Sequence, residues 1–224
     1  MLIFRVFSHE SFILVVYDEN MTDENIMRKT PQQNRSKQRV QHVLDIAERL
    51  FAEMGYEAST TNAIAEHANV SIGWLYQFFP NKEAIRDALI ERYIQEMRET
   101  KAHDGVQDLP LAQVIKHLIQ NTLAFSVRHG AFEEMFMSQF AHSIHHEIVE
   151  NVENIVRAYF PQLSTPVQHQ TAVYGVAIVK GVMTILKNHP MPIESAVDES
   201  VLIIMAYLRA VLLREGIAVP TDIA

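Results

Sequence analysis

The sequence predicts an all-α protein, and three observations predict it. Apolar residues make up 48% of 224 residues, and they fall in stripes three and four apart rather than in long alternating runs. Glycine and proline, the usual breakers of regular helix, number only seven and eight. Cysteine is absent, which excludes a disulfide-stapled secreted fold and points to a reducing, cytoplasmic compartment. The length is enough for one large domain or two smaller ones with an ample core.

Residues 1–26 are expected to be an extension, disordered or accessory. The run LIFRVFSHESFILVVY is apolar and β-branched, but too short and interrupted to span a membrane. It lacks the basic start and small-residue cleavage site of a signal peptide. The acidic stretch DENMTDEN follows it as a linker. No membrane partner is expected.

Residues 27–95 are expected to form the first domain. Its lead-in is basic, with Arg28, Lys29, Arg35, Lys37 and Arg39. The net charge of −8 is unevenly spread: residues 27–82 hold seven Lys/Arg against five Asp/Glu, and both flanks are acidic. A basic arm ahead of a first helix can sit on phosphates without needing much order. That first helix is carried by RVQHVLDIAERLFAEM, with Ile46, Ala47, Leu50 and Phe51 as its buried face and Gly55-Tyr56 as its stop.

The next stretch, TTNAIAEHANVSIGWLYQFFPNK over residues 60–82, reads as helix, tight turn, short helix and the start of another helix. Thr60 or Thr61 can cap the first, because a hydroxyl accepts a bond from an unpaired backbone N–H. Ile64, Ala65 and Ala68 give it a compact apolar side. Asn69 stands at the turn, where a left-handed backbone is needed and Asn tolerates it. Val70 is expected to bury, and Ser71 to cap the second helix. Leu75 and Phe79 face inward, which leaves Ile72, Trp74, Tyr76 and Gln77 outward. Pro80-Asn81 ends the helix and Lys82 opens the next. Such a unit fits one helix into the major groove of DNA.

The stretch closely resembles the DNA-binding signature of the tetracycline-repressor (TetR) family. The resemblance is carried by Thr60-Thr61, Ile64-Ala65, Asn69-Val70-Ser71, Gly73-Trp74-Leu75-Tyr76, Phe78-Phe79 and Lys82, and it covers about residues 36–95. Asn69 stands where the family usually has glycine, and Trp74 where it has a smaller residue. The resemblance implies a helix-turn-helix domain followed by a helical ligand-binding and dimerisation domain, here residues 96–224. It implies phosphate contacts at Tyr76 and Lys82. Asn62, Ile72, Trp74 and Gln77 are suited to base edges, since amides pair with adenine and apolar groups touch a thymine methyl. Arg39, Thr60, Thr61, Ser71 and Gly73 complete the expected DNA-facing set.

Beyond a linker, KAHDGVQDLP, four or five helices are expected. Residues 110–129 carry the stripe Leu111, Val114, Ile115, Leu118, Ile119, Thr122 and Phe125, and Gly130 breaks it. Residues 131–140 are short and rich in Phe and Met. Residues 142–160 form a helix ended by Pro161. Residues 165–189 and 194–214 are apolar over most of their circumference. Helices of that kind are buried on more than one side, and a dimer interface between two copies is the expectation, with Val176, Val179, Met183, Val201, Met205, Leu208 and Leu212 in it. Gly175 and Gly181 would let backbones approach. A place at the centre of one subunit is the alternative. The resemblance favours the dimer, because family members usually associate through their last two long helices.

The soft cluster around Phe125, Phe132, Met135, Phe136 and Phe140, with Leu118, Thr122 and Tyr174, is the candidate ligand pocket, since thioethers and aromatics adapt to an apolar guest. Ordinary core is the alternative for each member. His142, His145 and His146 lie at helical spacing that suits a metal. No cysteine and no second ligand cluster accompanies them, so no metal is expected. No cofactor is expected, and no catalytic residues: phosphate loop, nucleophile elbow and metalloprotease motif are all missing from the sequence. The expected function is that of a ligand-responsive repressor. It would bind a palindromic operator in double-stranded DNA as a homodimer, and a small apolar or amphipathic effector would release it. An activator or architectural binder without effector, or a helical enzyme or carrier that kept the fold, are the alternatives.

Overall fold

In the computed structural model, residues 3–8, 11–16, 34–101, 109–137, 142–221 and 223 are described. Arg28, Lys29, Phe140, residues 102–108 of the linker and the acidic run before Met27 lie outside them. Helix α1 (Asn34–Met54) buries Val40, Val43, Leu44, Ile46, Ala47, Leu50 and Phe51 along one stripe. It stops at Gly55, whose φ of +83° needs a residue without Cβ. Two short helices follow, α2 (Thr61–His67) and α3 (Ile72–Phe78). The long α4 (Lys82–Lys101) leads out of that three-helix unit. Ala84, Ile85, Ala88, Leu89, Ile90, Tyr93 and Ile94 are all buried, because α4 packs on α1 on one side and on α7 on the other.

The C-terminal helices are α5 (Leu111–Arg128), α6 (Phe132–Met137), α7 (His142–Tyr159), α8 (Thr165–Asn188) and α9 (Ile193–Arg214). They pack α7 on α8, α8 on α9, and α9 back on α5. One apolar cluster starts in α1 at Val40. It runs through α2, α3 and α4 and takes in Phe125, Phe132, Met135, Phe136, Ile144, Val176 and Met183. A second joins Leu111, Ile119, Val156 and Phe160 to Val197, Ile204, Leu208 and Leu212.

Two features bear on the expectations. Within the N-terminal extension, Ile3–Ser8 (β1) pairs antiparallel with Ser11–Val16 (β2), Ile3 opposite Val16 and Ser8 opposite Ser11. Runs rich in Ile, Val and Phe favour strand, so the extension is not without regular structure. Second, Val176, Met183, Leu208 and Leu212 are buried inside the single chain, and Val179, Val201 and Met205 are half-buried. The chain's own core occupies that side of α8 and α9. The large apolar side chains of α8 and α9 that remain exposed are Tyr174, Ile185, Ile193, Leu202, Ile203 and Leu213. Neither helix glycine is in close approach within the chain: a Cβ on Gly175 would lie 4.0 Å from Val152 Cγ1, and one on Gly181 would meet nothing within 4 Å.

Candidate functional site

The α2–α3 unit is built from local chemistry. Thr60 is extended, and its Oγ1 accepts the Ala63 N–H at 3.1 Å, which caps α2. Asn69 takes φ 51°, the left-handed turn expected of it, and the Val70 N–H returns to the Ala65 carbonyl at 3.0 Å. Ser71 Oγ accepts the Trp74 N–H at 3.1 Å and caps α3. Leu75 and Phe79 are fully buried, so they set the angle of α3 on the core. Val70 is only half-buried. Asn81 Oδ1 then accepts the Ala84 N–H at 2.8 Å and starts α4.

With that side fixed, the opposite side of the unit is presented to solvent. Arg39, Thr60, Asn62, Ser71, Ile72, Gly73, Tyr76 and Gln77 are exposed, and Thr61 is half-buried. The Thr61 and Tyr76 hydroxyls lie 3.2 Å apart and tie α2 to α3. An added Cβ on Gly73 would meet nothing within 4 Å, so the α3 backbone is open to close approach there. Trp74 is half-buried. Its ring packs on Phe78 at 4.7 Å between centroids, and the Arg39 guanidinium stands 5.8 Å from it. One aromatic side chain thus links the basic start of α1 to α3.

Lys82, expected to meet a phosphate, also makes contacts within the chain. Its ammonium donates to the Tyr56 carbonyl at 2.7 Å and the Glu57 carbonyl at 3.3 Å. It also lies 4.2 Å from the centre of the Tyr56 ring. The N-terminus of α4 abuts the turn after α1, so the nearest acceptors belong to the chain itself. Burial pushes the Tyr56 hydroxyl up to about 12.

The chain encloses a cavity of about 540 Å³, counting its open mouth, between α5, α6, α7, α8 and α9. Of the expected pocket residues, Leu118, Thr122 and Phe136 line it. Phe125, Phe132 and Met135 do not; they are buried in the adjoining core, where Phe132 packs on Phe125 at 4.8 Å and on Phe136 at 5.4 Å. Tyr174 is 53% exposed and faces Tyr207 instead. The sequence reading missed Ile115 and Ile119 on α5, Ile148 and Val152 on α7, Gly175, Val176 and Val179 on α8, and Ile204 on α9. Their stripes were visible, but a stripe alone does not say whether it meets a neighbour or a void.

A polar seam joins the two halves. Glu48 on α1 accepts from Arg92 at 2.6 Å and from the Tyr93 hydroxyl at 2.8 Å, and lies 2.9 Å from His129 Nδ1. His129 Nε2 lies 3.0 Å from Glu96. Beside it, a Cβ on Gly130 would lie 3.0 Å from Ala52 Cβ, so a larger residue would press the α5–α6 turn off α1 by a few tenths of an ångström. Burial and the Glu48 carboxylate push the Tyr93 hydroxyl well above the usual range. Of the three α7 histidines, His145 is half-buried and His142 and His146 are exposed. Among the described residues no three metal-ligating side chains converge.

Comparison with known proteins agrees with this geometry. Residues 43–89 match the family described as bacterial regulatory proteins, tetR family. The HTH-type transcriptional regulator YhgD of Bacillus subtilis (strain 168) is 27% identical over 120 residues, 52% of this chain and 62% of that protein. The HTH-type transcriptional repressor KstR of Rhodococcus jostii (strain RHA1) is 43% identical over 49 residues, 22% of this chain and 23% of that protein. In both cases the chain spans less than two thirds of the curated relative. A solved tetR-family transcriptional regulator from Streptomyces coelicolor superposes with a TM-score of 0.67 at 14% identity, covering 80% of this chain and 83% of that one. Among the described residues no helix is long and apolar enough to cross a membrane.

Proposed function

We propose that this chain, which matches the tetR family of bacterial regulatory proteins over residues 43–89, is a dimeric, ligand-responsive transcriptional repressor of the cytoplasm. The observation that carries the reading is the capped α2–turn–α3 unit, which holds Ile72, Gly73, Tyr76 and Gln77 outward beside Arg39. Residues 27–95 read DNA. Asn62 and Gln77 meet base edges, Tyr76 and Arg39 meet phosphates, and the open backbone at Gly73 permits the close fit. Residues 96–224 hold the effector and the partner subunit, and residues 1–26 are accessory.

The apolar patch of Tyr174, Leu202, Ile203 and Leu213 on α8 and α9 supports association with a second copy. A twofold dimer sets two α3 helices about 34–36 Å apart, one turn of DNA, and so reads a palindrome. The apolar cavity supports an effector. A ligand that fits a different spacing of the reading helices lowers DNA affinity by its differential binding energy, typically about 1–3 kcal/mol. The repressor KstR, similar over 49 residues, supports the sign of regulation.

Footprinting of the purified protein on DNA flanking its own gene tests the reading. Two symmetric protected half-sites are expected, together with a change in the emission of Trp74, the single tryptophan. Protection of one isolated half-site, or none, would count against it.

A further inference from the structure

The cavity has an apolar wall, and a basic side chain stands against one of its lining residues, Phe136. Its lining is hydrocarbon apart from Thr122, and the Thr122 hydroxyl already donates to the Leu118 carbonyl at 2.9 Å. The wall therefore offers little to orient a polar head group. The end near Phe136 differs. Lys180 lies one residue beyond the lining Val179 and holds its ammonium 4.3 Å from the centre of the Phe136 ring. It forms no ion pair with a carboxylate among the described residues. His145 lies one turn before the lining Ile148 on α7, and its buried Nδ1 has no hydrogen-bond partner among the described residues. Burial holds Lys180 below the usual lysine range. Burial, and then Lys180, holds His145 below the usual imidazole range. Burial lowers both groups, and Lys180 lowers His145 further, so among the described residues neither has a carboxylate beside it to offset the loss of water.

We propose that the cavity takes an amphipathic carboxylate: a hydrocarbon chain along Ile115, Ile119, Val152 and Ile204, with its head on Lys180 and His145. Charge-assisted bonds to the carboxylate supply what the half-buried ammonium lacks. The chain buries apolar surface against α5, α7 and α9. This deepens the effector reading above and rests on it.

The experiment titrates the full chain by calorimetry with dodecanoate and with 1-dodecanol, both below the concentration at which they aggregate. The acid is expected to bind about ten-fold tighter than the alcohol or better, since a hydrogen bond to a charged group outweighs a neutral one by about that factor. Lys180→Met should abolish the preference and keep alcohol binding, while Lys180→Arg should retain it. Because Lys180 is half-exposed, the variants should fold, and the retained alcohol binding verifies it. Equal affinity for acid and alcohol in the wild type overturns the inference, as does a preference that survives Lys180→Met or an acid that does not bind. The same titrations with operator DNA separate the two readings. If the acid binds through Lys180 but leaves operator affinity unchanged, this inference stands and release by effector fails. If the alcohol weakens operator binding as strongly as the acid, the reverse holds.

Discussion

The backbone N–H of Tyr56 donates to Glu134 Oε1 at 2.9 Å, across 78 residues of chain. Tyr56 stands in the turn that enters the reading unit. Glu134 sits on α6, two residues before Phe136, which lines the cavity. One short helix thus touches both the guest space and the base of the DNA-reading unit. On the proposed function, a guest that displaces Phe136 should pull on the turn ahead of α2.

Glu134→Ala should therefore weaken the coupling between effector and operator while leaving operator affinity without effector close to the parent's. The lost bond should also cost about 1 kcal/mol of stability, the usual net value of a hydrogen bond. Operator titrations with and without effector, beside a denaturant melt, measure both. Unchanged coupling in Glu134→Ala would put transmission elsewhere, with the Glu48–His129 seam as the next place to look.

Lys82→Ala separates two roles for one ammonium. Its bonds to the Tyr56 and Glu57 carbonyls predict a loss of about 1–2 kcal/mol in stability and an unaltered dependence of DNA binding on salt. A phosphate contact predicts instead a salt slope reduced by about one. Operator affinity measured across a salt series decides between them.

For assembly, the exposed and buried sides of the last two helices should behave oppositely. Leu202→Glu and Ile203→Glu change exposed positions, so each should give a folded monomer with poor affinity for the full palindrome. Val176→Glu and Leu208→Glu bury a carboxylate in the chain's own core and should unfold the subunit itself. Sedimentation and circular dichroism of the four variants test this. A dimer that persists in both Leu202→Glu and Ile203→Glu would move the interface off this face.

His145 makes a prediction about acid. Burial, with Lys180 on α8 and His142 and His146 on its own helix, lowers its pKa from the ordinary 6.5. Below that value the unfolded chain binds a proton that the folded chain resists, so stability falls as the pH drops from about 6.5 towards the depressed folded value. Above 6.5 both states are neutral at this site and the effect vanishes. The melting temperature of His145→Gln should decline less than the parent's between pH 7 and pH 5. Parallel declines would assign the acid sensitivity to other groups.

The reading unit was legible in the sequence because its determinants are local. Thr60, Asn69 and Ser71 each act on backbone within a few residues, and the stripe of α1 is a matter of spacing alone. What was not legible is what depends on distance in the chain. Lys82 looked like a phosphate ligand because nothing local shows that the Tyr56 carbonyl is its nearest acceptor. Helices α8 and α9 read as apolar all round, and periodicity cannot tell the side taken by α5 and α7 from the side left bare. Val176 and Leu202 look alike as letters and face opposite ways. Of the residues expected around a pocket, Leu118, Thr122 and Phe136 line the cavity, but the Phe125–Phe132 pair fills space rather than lining it, a distinction that only packing makes.

The apolar cluster that begins at Val40 ends beyond the first domain, at Val176 and Met183. No plane cuts the chain between reader and sensor without stripping that shared interior. The halves therefore melt together rather than in sequence, and α1–α4 cut loose at residue 95 would carry a raw hydrophobic flank where α7 had been. A domain swap with another regulator at that point would inherit the same mismatch. Transplanting this reader requires taking its supporting floor with it.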